Sequence, residues 1–290
     1  MNTCQTIHSL TASERSSTSK MAQSTSNNRN HSGRTNRFLE IVKTLEFFWF
    51  SGHFLVTLLS PACFLTGNTF LYRLIYVAVL ESFGIILYQH YYLKNNSSFN
   101  LDSIKKSLLN DENFYYFILA QIWLFMPANK LSILPYFIFS LFHGLRYLQT
   151  VFLPQVFQLD QSNPWIVKIQ SFVKNYNERC LYWVASVELV ILIQVIFKAL
   201  LWYERSWICL IIYSIFLKIR YENSKYLTSV FSQWRVRMDG IISHPSIPPT
   251  VKKFYNTLKL NLIQLSKYQI TPRNSQHAQS TASSNSKKAI

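Results

Sequence analysis

The sequence predicts an all-α polytopic membrane protein: four to six membrane helices arranged in hairpins, with interfacial amphipathic helices beside them. Three observations predict it. First, apolar residues are 49% of the 290 and gather into long blocks with few charges, the pattern of helices solvated by lipid. Second, the blocks come in pairs joined by tight turns of about four to six residues, within the usual range for helix–helix connections. Third, charge is uneven: residues 1–37 carry five Lys/Arg against one acid, residues 38–217 twelve against ten, and residues 218–290 twelve against two. Both ends are basic, so the positive-inside rule places both in the cytosol and requires an even number of crossings.

The first block is Leu45–Phe64, followed by a turn containing TGNT. The second, Phe70–Tyr92, is interrupted by Arg73 near its start and Glu81 at its middle. Residues 93–113 are polar and hold two overlapping glycosylation sequons at Asn95 and Asn96, which stay unmodified on the cytosolic side. The short block Phe114–Met126, the turn PANK and the long block Leu131–Leu153 come next. In residues 154–179, Trp165, Ile166, Ile169, Phe172 and Val173 recur every three or four positions, which predicts a helix lying on the surface. Cys180–Trp202, the turn YERS and the short block Trp207–Leu217 complete the series. The two short blocks fall below the roughly 20 residues of a full span, so they must tilt, borrow flanking residues or dip without crossing.

The expected organisation is a disordered basic cytosolic tail at 1–37, a transmembrane hairpin domain at 38–220, a cytosolic helical region at 221–268, and a disordered tail at 269–290. Lys287 and Lys288 stand fourth and third from the end, the dilysine pattern that returns proteins to the endoplasmic reticulum. Such patterns are receptor-read addresses, not anchors.

The cytosolic region closes with an amphipathic membrane-binding helix at 250–268. Pro245, Pro248 and Pro249 stop the preceding helix, and Thr250 is the expected N-cap. At 100° per residue Val251, Phe254, Tyr255, Leu258, Leu262 and Leu265 fall within one stripe about 100° wide. Lys252, Lys253, Lys259 and Lys267 fall beside it. Too short and too charged to span, the segment is expected in the plane of the interface, binding bilayer, or as a docking element for an acidic partner such as a transport receptor. The plain alternative is that the stripe packs on a soluble domain of the same chain.

Glu81 and Glu188 lie deep in their blocks, where a carboxylate needs a partner or a proton. Counted from the expected cytosolic ends of the blocks, Arg146 matches Glu188 in depth and His143 matches Glu81, so Arg146–Glu188 and His143–Glu81 are expected interhelical pairs.

The four cysteines are scattered with no CxxC pair, and neither a disulfide framework nor a metal site is indicated. No nucleophile elbow, zinc-binding HExxH or phosphate loop occurs, so neither an enzyme nor a cofactor is expected. The basic ends flank membrane segments and carry no nucleic-acid-binding motif, which favours an anionic leaflet over direct nucleic-acid binding.

The stretch Ile133–Leu148, ILPYFIFSLFHGLRYL, resembles the transmembrane protein 33 family: a Leu-Pro, an aromatic run, Ser-Leu-x-His and then Tyr147. VASVELVILIQ at 184–194 and the region 244–262 are similar too, and the resemblance spans roughly residues 38–268. It implies a non-enzymatic protein of the endoplasmic reticulum membrane and nuclear envelope, linked to tubule shape and to nuclear pore distribution or assembly. The partners it implies are reticulon-type membrane proteins and nucleoporins. The competing reading is a transporter or lipid-handling enzyme with Glu81, His143, Arg146 and Glu188 lining one site. An assembly factor for other membrane proteins is a third.

Overall fold

The computed structural model describes residues 34–93, 107–109 and 111–268. Most of the basic amino-terminal tail, the sequons at Asn95 and Asn96, and Lys287 and Lys288 lie outside the described residues. Helix α1 (Arg34–Val42) leads to α2 (Leu45–Thr66), whose first turn is capped by Thr44 accepting from the Phe47 amide at 3.2 Å. The far end of α2 shows why the TGNT turn is so short. Gly67 takes φ +66°, a left-handed conformation that is cheap only without a Cβ, and its amide closes on the Cys63 carbonyl at 2.9 Å. Asn68 then caps α3 (Thr69–Tyr88), accepting from the Phe70 amide at 2.7 Å. Within this hairpin a Cβ on Gly52 would meet Ser82 Oγ at 2.2 Å and the Ala78 carbonyl oxygen at 2.8 Å. Small residues here let two membrane helices approach backbone to backbone.

Helix α3 ends in a π turn, Gln89–Leu93, and α4 (Glu112–Phe125) begins under an Asp111 cap. A 3₁₀ turn at Lys130–Ser132 opens α5 (Ile133–Tyr147), which runs through a second π turn, Leu148–Phe152, into the short α6 (Leu153–Val156). Then follow α7 (Pro164–Leu200), α8 (Ser206–Asn223), α9 (Lys225–Ile242) and α10 (Pro249–Lys267). No strand occurs among the described residues.

Among the described residues, four stretches are long and apolar enough to cross a bilayer unaided: Leu45–Thr66, Thr69–Leu93, Lys130–Val156 and Pro164–Leu200. The two short blocks become α4 and α8, and their neighbours show what they do. Tyr72 and Tyr76, near the start of α3, hydrogen-bond Ser132 at the start of α5 (3.3 and 2.6 Å). Tyr91, at the other end of α3, donates to Asp111 at the start of α4 (3.1 Å). The chain must therefore travel the length of α3 between residues 93 and 132, and α4 with its extended Met126 flank makes that journey. Helix α8 returns likewise, bringing Arg220 to Glu112 at 2.9 Å. It borrows flanking residues on both sides of the Trp207–Leu217 block. Helix α1 sits on the end of α5 through Phe38 and Phe152, so α1 and α9 leave the bundle at the same end.

The expected surface helix in 154–179 is corrected. Residues 164–200 form one continuous helix of 37, about 55 Å at 1.5 Å per residue, against a hydrocarbon core of about 30 Å. Asn163 caps it and Pro164 starts it, and nothing between Glu178 and Leu181 breaks it. Its first half runs beside the end of α5 through Phe142 and Phe172, burying Ile166 and Val173, with α9 alongside its middle through Tyr182 and Tyr226.

Candidate functional site

Helix α10 begins one residue earlier than expected, with Pro249 in its first turn and no side-chain cap from Thr250. Its contacts with the body come from one edge. Tyr255 donates to Asp239 Oδ1 at 2.8 Å, and Lys259 Nζ reaches both Asp239 oxygens at 2.7 Å. Lys252 donates to the Ser243 carbonyl at 3.5 Å, and Lys218 to the Ser266 carbonyl at 3.4 Å. The partly covered positions 252, 255, 259, 263 and 266 form a stripe displaced by about 100° from the exposed apolar positions 251, 254, 258, 262 and 265. Docking by the lysine–tyrosine edge leaves Val251, Phe254, Leu258, Leu262 and Leu265 exposed, Phe254 by 71%. No residue of α10 is buried, so among the described residues nothing covers the stripe. Lys253 and Lys267 are exposed as well. Of the expected set, Tyr255, Lys252 and Lys259 thus face the protein. Asp239 is the residue sequence reasoning missed; it is the only acid between Glu222 and the carboxyl end, which was the available signal. The Lys259 hydrogen bonds, then the Tyr255 hydroxyl, hold its carboxyl below the usual carboxylate range.

The two expected intramembrane pairs are not formed. Glu188 is 1% exposed and meets Arg220 Nε at 3.6 Å and the Tyr116 hydroxyl, with Tyr213 donating to its backbone carbonyl at 2.9 Å. Arg220 continues to Glu112, giving a chain of acid, cation and acid across α7, α8 and α4 that is buried at Glu188 and Arg220 and opens at Glu112, whose side chain is 37% exposed. Arg146 lies elsewhere, level with residues 170–177 of α7. The depth count failed because it started α7's descent at Cys180. Phe142 stacks on Phe172, so α5 runs beside the first half of α7, and Glu188 lies 16 residues, about 24 Å, further along. Glu81 is exposed on the outer side of α3 and makes no ion pair with His143. His143 instead stacks on His53 (4.9 Å) and meets Trp49 edge-on (5.5 Å), and His53 bonds Ser140 at 3.0 Å.

Four buried tyrosines, Tyr72, Tyr76, Tyr136 and Tyr213, form a hydroxyl seam through the interior that the sequence reading did not single out. Their i, i+4 spacing in α3 was visible; their cross-helix partners Ser132 and the Tyr116 carbonyl were not. The cavity beside Glu188 holds only about 10 Å³, at most one water. That space is closed to a transported solute, and the four expected ionisable residues do not line a common site.

Paired apolar helices, a packed interior and a terminal helix with its apolar stripe outward define a polytopic α-helical membrane protein. The chain belongs to the transmembrane protein 33/nucleoporin POM33 family, whose model matches residues 30–267. It is 47% identical over 246 residues to the "Pore membrane protein of 33 kDa" of Saccharomyces cerevisiae, covering 81% of this chain and 88% of the relative. It is 28% identical over 263 residues to the "Tetra-spanning protein 1" of Schizosaccharomyces pombe, covering 86% and 92%. It is 27% identical over 247 residues to the "Pore and endoplasmic reticulum protein of 33 kDa" of Saccharomyces cerevisiae, covering 75% and 89%. No solved structure matches it. The family is one of membrane proteins rather than enzymes, and this protein is non-enzymatic.

Proposed function

We propose that the protein shapes and organises the endoplasmic reticulum and pore membrane of the nuclear envelope, contributing to nuclear pore distribution or assembly. Both termini are cytosolic, and α10 rests on the cytoplasmic leaflet while offering its lysines to partners. Reticulon-type proteins, nucleoporins and a transport receptor are the partner classes. The hairpin domain at 38–220 anchors the chain, and the region 221–268 carries the contact. The relatives' names support the location. The observation that carries the mechanism is the outward apolar stripe of α10. Burying such side chains in acyl chains gains about 25 cal/mol per Å², and exposed Lys253 and Lys267 each add about 1 kcal/mol near an anionic surface.

The test places an environment-sensitive fluorophore at Leu258 of the full chain in liposomes containing anionic lipid. A blue shift, with quenching by lipid-borne quenchers, is expected. A water-like spectrum that ignores the quenchers would refute the leaflet contact. In cells, a tagged chain lacking residues 250–268 should remain membrane-integrated and lose its pore-associated pool.

A further inference from the structure

The end of α5 and the first half of α7 leave an open cavity of about 420 Å³ between them, within the roughly 300–1,000 Å³ of small-molecule sites. Arg146, Gln149 and Thr150 line it from α5, and Gln170, Lys174 and Asn177 from α7. Among the described residues no carboxylate lines it. Nor does Arg146 or Lys174 form an ion pair among them. The acid next along α7, Glu178, turns instead to Lys225 of α9 at 3.9 Å.

Gln149 stands on the same wall with its amide incompletely partnered. It is 9% exposed, and its Oε1 is buried without a partner. A half-turn of the amide exchanges oxygen for N–H₂, so the same side chain serves an acceptor ligand. The π turn Leu148–Phe152 swings Gln149 and Thr150 to this wall, and such turns recur at functional sites. Depth points to the ligand's class. About 20 residues counted back from Leu200 place the hydrocarbon edge near Leu181. Lys174 lies seven residues, about 10 Å, beyond that edge, at the headgroup layer.

We propose that this cavity binds a phosphate ester: Arg146 supplies a planar two-pronged donor, Lys174 a point charge, and the amides of Gln149 and Gln170 the remaining hydrogen bonds. The site is separate from α10, whose exposed lysines lie on another element.

The test uses the purified full chain in phosphatidylcholine nanodiscs, titrated with a short-chain phosphatidylinositol phosphate and, separately, with soluble inositol phosphate. The wild type binds, Lys174→Glu weakens binding about tenfold, and Arg146→Gln/Lys174→Gln abolishes it, as expected for lost charge-assisted hydrogen bonds. Lys253→Gln/Lys267→Gln on α10 binds as wild type does. Displacement of the lipid by soluble inositol phosphate at equal concentration assigns the site to a free phosphate ester; lack of displacement assigns it to a lipid headgroup. Wild-type chain that binds neither probe overturns the proposal. So does binding unchanged in Lys174→Glu, whose exposed side chain holds no other element in place.

Discussion

Tyr116 and Tyr255 both place a hydroxyl on a carboxylate, Glu188 and Asp239, and each carboxylate also meets a cation, Arg220 and Lys259. The two triads share their chemistry and differ in surroundings. In the first, Glu188 is 1% and Arg220 4% exposed, enclosed by the aromatic interior. In the second, the Lys259 and Asp239 side chains are about a third exposed. Enclosed charges hold one another because nothing else can solvate them, so losing one strands the other. Open charges have water as a competitor and contribute little to stability. The same three groups therefore make a fixed core in one place and a reversible contact in the other.

The largest expected effect tests the enclosed triad. Arg220→Leu should destabilise the protein by about 3–5 kcal/mol, because Glu188 and its Tyr116 contact are left around an unpaired charge. Adding Glu188→Gln should recover much of the loss in a detergent thermal-unfolding assay. Arg146→Gln in the Glu188→Gln background should change nothing further, since Arg146 lies on the other wall. If Arg146→Gln rescued Glu188→Gln, the assignment of Arg220 as partner would fail.

Next in size is the packing that holds the enclosed region together. Gly52→Val should cost about 1–3 kcal/mol or more, since even a Cβ meets the Ala78 carbonyl, which belongs to backbone and cannot step aside. Gly240→Ala, with open space around it on α9, should be neutral or slightly stabilising in the same assay. Equal losses at both glycines would remove the contrast between the two regions.

The spans, their pairing and the terminal helix were legible in the sequence because each depends on short-range pattern: apolar runs, turn residues and a 100° stripe. Leu45–Phe64 and Phe70–Tyr92 lie within one or two residues of the helices they become, apart from the π turn that closes α3. What the sequence did not disclose depends on where one helix stops relative to another. Treating 154–179 as a separate surface helix displaced Glu188 by more than ten residues and gave it the wrong partner. Arg220 was passed over because it sits just past the apolar block Trp207–Leu217, and only the extension of α8 through Asn223 brings it inside. On α10 the sequence grouped Tyr255 with the apolar stripe and treated the lysines as one class, whereas Tyr255 docks on the body. Asp239, 20 residues before Lys259, divides the lysines into docked and free.

The next effect separates binding from folding. Phe254→Ser/Leu258→Ser/Leu262→Ser should leave bundle stability within about 0.5 kcal/mol, as expected for exposed positions away from any buried contact. The same variant should lose the lipid-quenching signal of α10 in liposomes. A matching fall in thermal stability would mean that the stripe packs on the protein after all.

The smallest effect is the pH response of the open triad. Asp239 is held below the ordinary carboxylate value by Lys259 and Tyr255 when α10 is docked. Its contribution to docking is therefore complete above the undocked value of about 3.9 and is lost as pH falls through the lower docked value. From pH 8 to 5 a distance measured between spin labels on α9 and α10 should hold steady; below about pH 4 it should broaden towards longer separations. Asp239→Asn should show the broadened distribution at neutral pH, with little change between pH 7 and 3, because the titrating group is gone while Lys259 stays charged. Tyr255→Phe, which removes only the second hydrogen bond, should shift the midpoint of the transition upward, towards the ordinary carboxylate value, while keeping the transition itself. A wild-type distance that does not respond to acid would show that Lys218 and Lys252 hold α10 by its backbone carbonyl contacts alone, and that the open triad is incidental.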